Sequence, residues 1–196
     1  MWGMDVAIYF TAVVSGAYMN PALTTAQATF LGFEKEKPYL YTAAQLAGTF
    51  CCAALVYALC SNLFTDYEIA HGFLHNSEAA LSTAGILPTY PCPSLSMLGE
   101  FSVEFIITAV LIFAFLALVD ESNGPPRAAI PPTLIAAIGG SLGPLTAFSM
   151  NPVRDLGPRL FAYFSGSEFA LSGARDILYF IVLILGRVSA AGLIRK

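Results

Sequence analysis

The sequence predicts an all-α membrane protein, an inverted-repeat bundle of spanning helices with two half-helices set into it. Three observations carry that reading. Of 196 residues, 57% are hydrophobic and 11% charged, and the mean hydropathy is +0.70. Soluble domains carry about 25% charged residues, so this chain could not cover its own surface in water. Several uncharged stretches reach the ~20 residues that a spanning helix requires. Finally, Met-Asn-Pro occurs twice, each time interrupting such a stretch. The same composition excludes disorder. A nucleic-acid surface is disfavoured as well, because nine Lys and Arg against thirteen Asp and Glu leave a net charge of −4 and no basic patch.

Taken in order, residues 6–33 are uncharged for 28 positions, too long for one simple span and broken at Asn20-Pro21. Residues 40–60 read as a clean span of 21. Residues 105–119 are a dense apolar run that reaches spanning length when extended back through Glu104 and Glu100 to Met97. Residues 128–150 are uncharged but hold Pro131, Pro132, Gly139, Gly140, Gly143 and Pro144. Residues 177–194 form a last apolar segment, interrupted only by Arg187. The whole chain, 1–196, reads as a single domain. No cleavable leader is expected, since the N-terminus opens directly on apolar sequence.

The connectors set the orientation. Residues 61–98 are expected to form a long loop carrying Asp66, Glu68, Glu78, His71 and His75, with no Lys or Arg. Lys35, Lys37, Arg127, Arg195 and Lys196 fall on the opposite side if the spans alternate, which puts them in the cytoplasm and the long loop outside. Cys51, Cys52, Cys60 and Cys92 lack metal-ligand spacing and read as small hydrophobes. His71 and His75 have no companion ligands and are expected in solvent. No metal or cofactor is expected.

The two Met-Asn-Pro segments answer each other. Proline fits the first position of a helix, where its missing N–H would have no partner. Asparagine caps such a helix by accepting from its exposed amides. A helix that starts at membrane depth is tolerated only where its end is buried in protein or lines a wet cavity. A pair of such breaks, one in each half of a chain, points to a transport site at the repeat interface. Asn20 and Asn151 would then meet near mid-bilayer, with the positive ends of both half-helices converging on them. Two ordinary extramembrane Asn-Pro turns are the competing explanation, and the matching apolar helical stretches after both motifs count against it.

With its motifs Ser-Gly-Ala-Tyr-Met-Asn-Pro-Ala at 15–22 and Gly-Pro-Leu-Thr-Ala-Phe-Ser-Met-Asn-Pro-Val-Arg-Asp-Leu-Gly-Pro-Arg-Leu-Phe at 143–161, the chain resembles the aquaporin (major intrinsic protein) family. The resemblance extends over essentially the whole chain. It is nearest to the bacterial glycerol facilitators, the aquaglyceroporin branch, because Asp155 follows Arg154. It implies an aquaporin-like fold and a pore formed at Asn20, Pro21, Ala22, Asn151, Pro152 and Val153. It also implies a selectivity filter of Trp2, Gly139, Phe148 and Arg154, with Glu104 and Asp155 as structural supports. In such a filter Arg154 supplies fixed N–H donors and a permanent charge that repels cations. Trp2 and Phe148 form an apolar corner, and Gly139 leaves width. The implied permeants are glycerol and small polyols, then water. The implied setting is a homotetramer in the lipid bilayer of a bacterial inner membrane.

Against the family pattern, the first of six full spans is missing, and Glu104 lacks a counterpart in the other half. The span at 132–140 looks about one turn short. Asp5 sits in an apolar segment, and an unpaired Arg187 would cost ~3 kcal/mol at a helix centre. Two functions follow as expectations: a passive channel, or a transport-inactive truncated relative that keeps only membrane insertion or subunit assembly. An intramembrane enzyme is disfavoured, since the sequence shows no nucleophile with a base, no histidine cluster and no phosphate loop.

Overall fold

The computed structural model describes residues 2–30, 37–120, 122 and 130–171. Among these, all regular structure is helical. Helix α1 (Trp2–Ser15) is followed by a short non-helical segment and then by α2 (Pro21–Phe30). Helix α3 (Lys37–His71) leads into a connector containing the short α4 (Leu81–Ala84). Helices α5 (Met97–Val119), α6 (Ile130–Thr146) and α7 (Pro152–Phe164) complete the described chain. The expected final span at 177–194, with Arg187, lies outside the described residues, as do Lys35 and Arg127.

Two helices, α3 and α5, contain segments long and apolar enough to cross a bilayer. At 1.5 Å per residue α5 extends about 35 Å, more than the ~30 Å hydrocarbon core. Helix α5 begins at Met97, where the sequence places it. Helix α6 is longer than the sequence suggests, since it runs from Ile130 past all three glycines to Thr146.

The second expected span is corrected more strongly. Its polar continuation, Ser61 to His71, stays helical instead of opening into a loop. Phe64 and Glu68 explain why: both are buried, under the connector that follows. The Glu68 carboxylate accepts from Thr83 Oγ1 at 2.9 Å and pairs with His75 Nδ1 at 2.7 Å. The change from apolar to polar sequence at Cys60 thus marks a change of surroundings, whereas the helix itself is kept by packing. His75 is accordingly half-buried and bonded, contrary to the expectation of solvent, while His71 is exposed at the end of α3.

Helices α3 and α7 cross closely because Gly157 has no side chain. A Cβ there would lie 2.1 Å from Thr49 Oγ1 and 3.0 Å from the Phe50 backbone nitrogen. Phe50 and Phe161 close the contact edge to face, with centroids 5.6 Å apart. On the other side, Ala22 and Ala26 of α2 pack on Ile112 of α5. Ile107 and Leu111 of α5 pack with Ile138 of α6 and Met150. The outward faces are strongly apolar: Val13 is 94% exposed and Leu59 76%. Exposed apolar surface of this extent in a monomer marks a face for lipid or another protein.

Candidate functional site

The α1–α2 connection and the α6–α7 connection have the same construction. After α1 the chain turns through the left-handed region at Gly16 (φ +71°) and Ala17 (φ +54°). After α6 it does so at Ala147 (φ +56°), Phe148 (φ +44°) and Met150 (φ +45°). Such angles are uncommon for non-glycine residues and persist only where the surroundings hold them. In both cases the chain then reaches asparagine, and a helix begins at the following proline.

Each asparagine does two jobs. Asn20 Oδ1 accepts from the Ala22 amide at 2.9 Å, and Asn151 Oδ1 accepts from the Val153 and Arg154 amides at 3.2 and 3.3 Å. These bonds satisfy helix-end donors that would otherwise lack partners. The carboxamide nitrogens then cross between the halves of the chain. Asn20 Nδ2 donates to the Met150 carbonyl and Asn151 Nδ2 donates to the Met19 carbonyl, each at 2.9 Å. This reciprocal exchange joins the N-termini of α2 and α7 about an approximate two-fold relation. Pro21, Ala22, Pro152 and Val153 are buried at the junction.

Beneath the second connection lies Glu104, fully buried on α5. Its two carboxylate oxygens accept from the Ser149 and Met150 amides, each at 3.0 Å. The first connection is held by a different device: Gln45 Nε2 of α3 donates to the Tyr18 carbonyl at 2.5 Å and to Thr24 Oγ1 at 3.2 Å. Among the described residues, a neutral amide thus serves the first connection where a carboxylate serves the second. The sequence reading did not single out Gln45. Its signal was a long polar side chain within an otherwise apolar span.

Asp155 and Arg159 fasten α7 from behind. Arg159 Nε donates to Asp155 Oδ2 at 2.6 Å, and both residues are buried. Asp155 Oδ1 accepts from the Thr89 amide at 2.8 Å and also from Thr89 Oγ1. Arg159 Nη1 donates to the Ala170 carbonyl at 3.1 Å, and its guanidinium lies over the Tyr90 ring, 4.7 Å from the centroid. Thr89 and Tyr90 belong to the connector after α4, so this network ties the half-helix to the connector.

Alongside the junction runs a cavity of about 430 Å³, within the size range of small-molecule sites. Its wall includes Asn20, Asn151, Phe148 and Arg154, the connection 16–19, and apolar residues of α1, α5 and α6. The Arg154 guanidinium carbon is 5.9 Å from the Phe148 centroid. Phe148 rests against the glycine face of α6: a Cβ on Gly139 would be 3.5 Å from its ring, and one on Gly143 2.7 Å. The structure therefore brings Gly139, Phe148 and Arg154 together and adds Gly143, which the sequence reading did not place in the filter. Trp2 starts α1, and its side chain lies outside the described residues. Among the described residues no cluster of metal-ligating side chains occurs.

Comparison with known proteins bears on the same features. The sequence matches the model of the family described as major intrinsic protein over residues 1–166. It is 49% identical to the glycerol uptake facilitator protein of Haemophilus influenzae, covering 100% of this chain and 78% of that protein. It is 46% identical to the glycerol uptake facilitator protein of Escherichia coli K12, over 97% of this chain and 70% of that one. A propanediol uptake facilitator of Citrobacter freundii is 45% identical over 97% of this chain and 74% of its own length. Among solved structures, the aquaglyceroporin from Plasmodium falciparum superposes with a TM-score of 0.81 at 26% identity, covering 96% of this chain and 76% of that one. Two half-helices locked through their asparagines, in a chain with these relatives, make it a member of the major intrinsic protein family.

Proposed function

We propose that the chain is a passive multi-pass membrane channel that lets glycerol and similar small neutral polyols diffuse down their gradients, with water as a second permeant. It moves solutes and catalyses no reaction. The observation that carries this reading is the asparagine junction at the cavity wall. Each carboxamide has two N–H donors and uses one on the facing connection, so the other can serve a passing hydroxyl. The positive ends of α2 and α7 add a barrier to protons and cations at the same place. The names of the relatives, glycerol and propanediol uptake facilitators, point to the same class of solute.

In this proposal Arg154, Phe148 and Gly139 form the selectivity filter, with Trp2 as its fourth wall. Arg154 orients two hydroxyl oxygens while Phe148 faces the carbon backbone of the polyol. Glu104 and Asp155 support the filter without touching the solute. A homotetramer in a bacterial inner membrane completes the reading, and the exposed apolar faces of α1 and α3 suit contact with lipid and neighbouring subunits.

The test is light scattering from liposomes holding the purified protein, under glycerol, water and cation gradients. Glycerol flux well above that of empty liposomes, with no cation leak, is expected. Arg154→Ala should lower glycerol flux and admit cations. Glycerol flux no greater than that of empty liposomes, with correct insertion verified, would overturn the reading.

A further inference from the structure

The cavity wall carries a second aromatic residue next to an Asn-Pro motif, Tyr18, which the filter described above does not use. Phe148 stands against α6, whereas Tyr18 is held by α3 and by its own connection. Its ring meets the Tyr41 ring edge to face, with centroids 5.2 Å apart at 75°. Tyr41 is itself tied down, its hydroxyl donating to the Ser15 carbonyl at 3.4 Å. The backbone of Tyr18 is fixed by the Gln45 amide. On its remaining side the ring crosses Gly16, where a Cβ would come within 2.6 Å of Tyr18 Cε2. Gly16 also sits at φ +71°, so two separate constraints require glycine there.

A large ring held on several sides at a cavity wall acts as a fixed wall, because moving it would disturb the Tyr41 contact and the turn at Gly16 together. We propose that Tyr18 is a specificity-determining residue: its ring sets a second limit on solute width, separate from the one at Phe148 and Arg154. The inference rests on the channel reading. Two constrictions along one path act as resistances in series, so the Tyr18 limit dominates only when the other is relieved or when Tyr18 itself is enlarged.

The experiment follows from that arithmetic and uses pentaerythritol, a branched polyol wider than glycerol, in liposomes containing the full chain. Phe148→Ala alone should admit little of it. Adding Tyr18→Ala should raise its flux relative to glycerol by roughly tenfold, the scale on which a close-fitting wall discriminates by one small group. Tyr18→Phe, which keeps the ring, should leave the ratio of the Phe148→Ala protein unchanged. In the otherwise unaltered chain, Tyr18→Trp should reduce glycerol flux more than water flux, and retained water flux shows that the protein is intact. If Tyr18→Ala loses water flux, Tyr18→Leu provides the same comparison. An unchanged solute ratio in the double variant, or a Tyr18→Phe effect equal to that of alanine, overturns the proposal. Glycerol flux in the unaltered chain equal to that of empty liposomes would instead be a failure of the channel reading.

Discussion

Glu104 offers the sharpest test of how the second half-helix is held. It is fully buried on α5 and gives one carboxylate oxygen to each of two backbone amides, at 3.0 Å. Those amides, of Ser149 and Met150, lie in a connection with three non-glycine residues at positive φ. Glu104→Ala leaves both amides buried without an acceptor, at about 1–3 kcal/mol each. The direct loss is therefore roughly 2–6 kcal/mol. The left-handed residues, whose conformations cost of order 1–3 kcal/mol each, also lose a restraint. The loop can then relax, carrying with it Phe148, Met150 and the carbonyl that Asn20 holds. Glu104→Gln keeps one acceptor oxygen but turns an N–H donor toward the other amide, so it should lose about half as much. We expect the thermal midpoint in detergent to fall in the order parent, glutamine, alanine. Glycerol flux should fall in the same order, while Glu104→Asp, whose shorter arm reaches the amides less well, should stay nearer the parent. Alanine at position 104 with an unchanged midpoint and unchanged glycerol flux would refute this account of the loop.

Other consequences concern the glycine face of α6 and the clamp behind α7. Gly139→Ala places its methyl in ordinary contact with Phe148, whereas Gly143→Ala would place one 2.7 Å from the ring. Glycerol flux should therefore suffer more from Gly143→Ala, and equal effects would argue against this seating of Phe148. Gly139→Leu should narrow the cavity and reduce glycerol flux more than water flux, and equal losses in correctly folded protein would remove Gly139 from the filter. Breaking the buried Asp155–Arg159 pair leaves a charge without its partner, and losses of about 3–5 kcal/mol are typical of such pairs. Arg159→Met should consequently lower the thermal midpoint strongly, and an unchanged midpoint would show that the network adds nothing to stability.

Much of this architecture was legible in the sequence because its signals are local. A bilayer demands helices of spanning length, and Met97–Val119 was found by extending the apolar run 105–119 back through Glu104 and Glu100 until it reached that length. An asparagine followed by a proline capped both half-helices where the motif said they would start. The sequence missed what depends on contacts between distant segments. It ended the second span near Cys60 because polarity returns there, but Glu68 and Phe64 are covered by the connector and the helix continues to His71. It assigned His75 to solvent, since nothing nearby in sequence reveals the Glu68 carboxylate that meets it. Gln45 gave no motif, because its role depends on the Tyr18 carbonyl of another segment. Sequence therefore determined which runs are long and apolar enough to span a bilayer and where helices begin, both governed by neighbours along the chain. Tertiary structure decided which polar groups pair across the chain, since each buried donor takes an acceptor that only folding brings within reach.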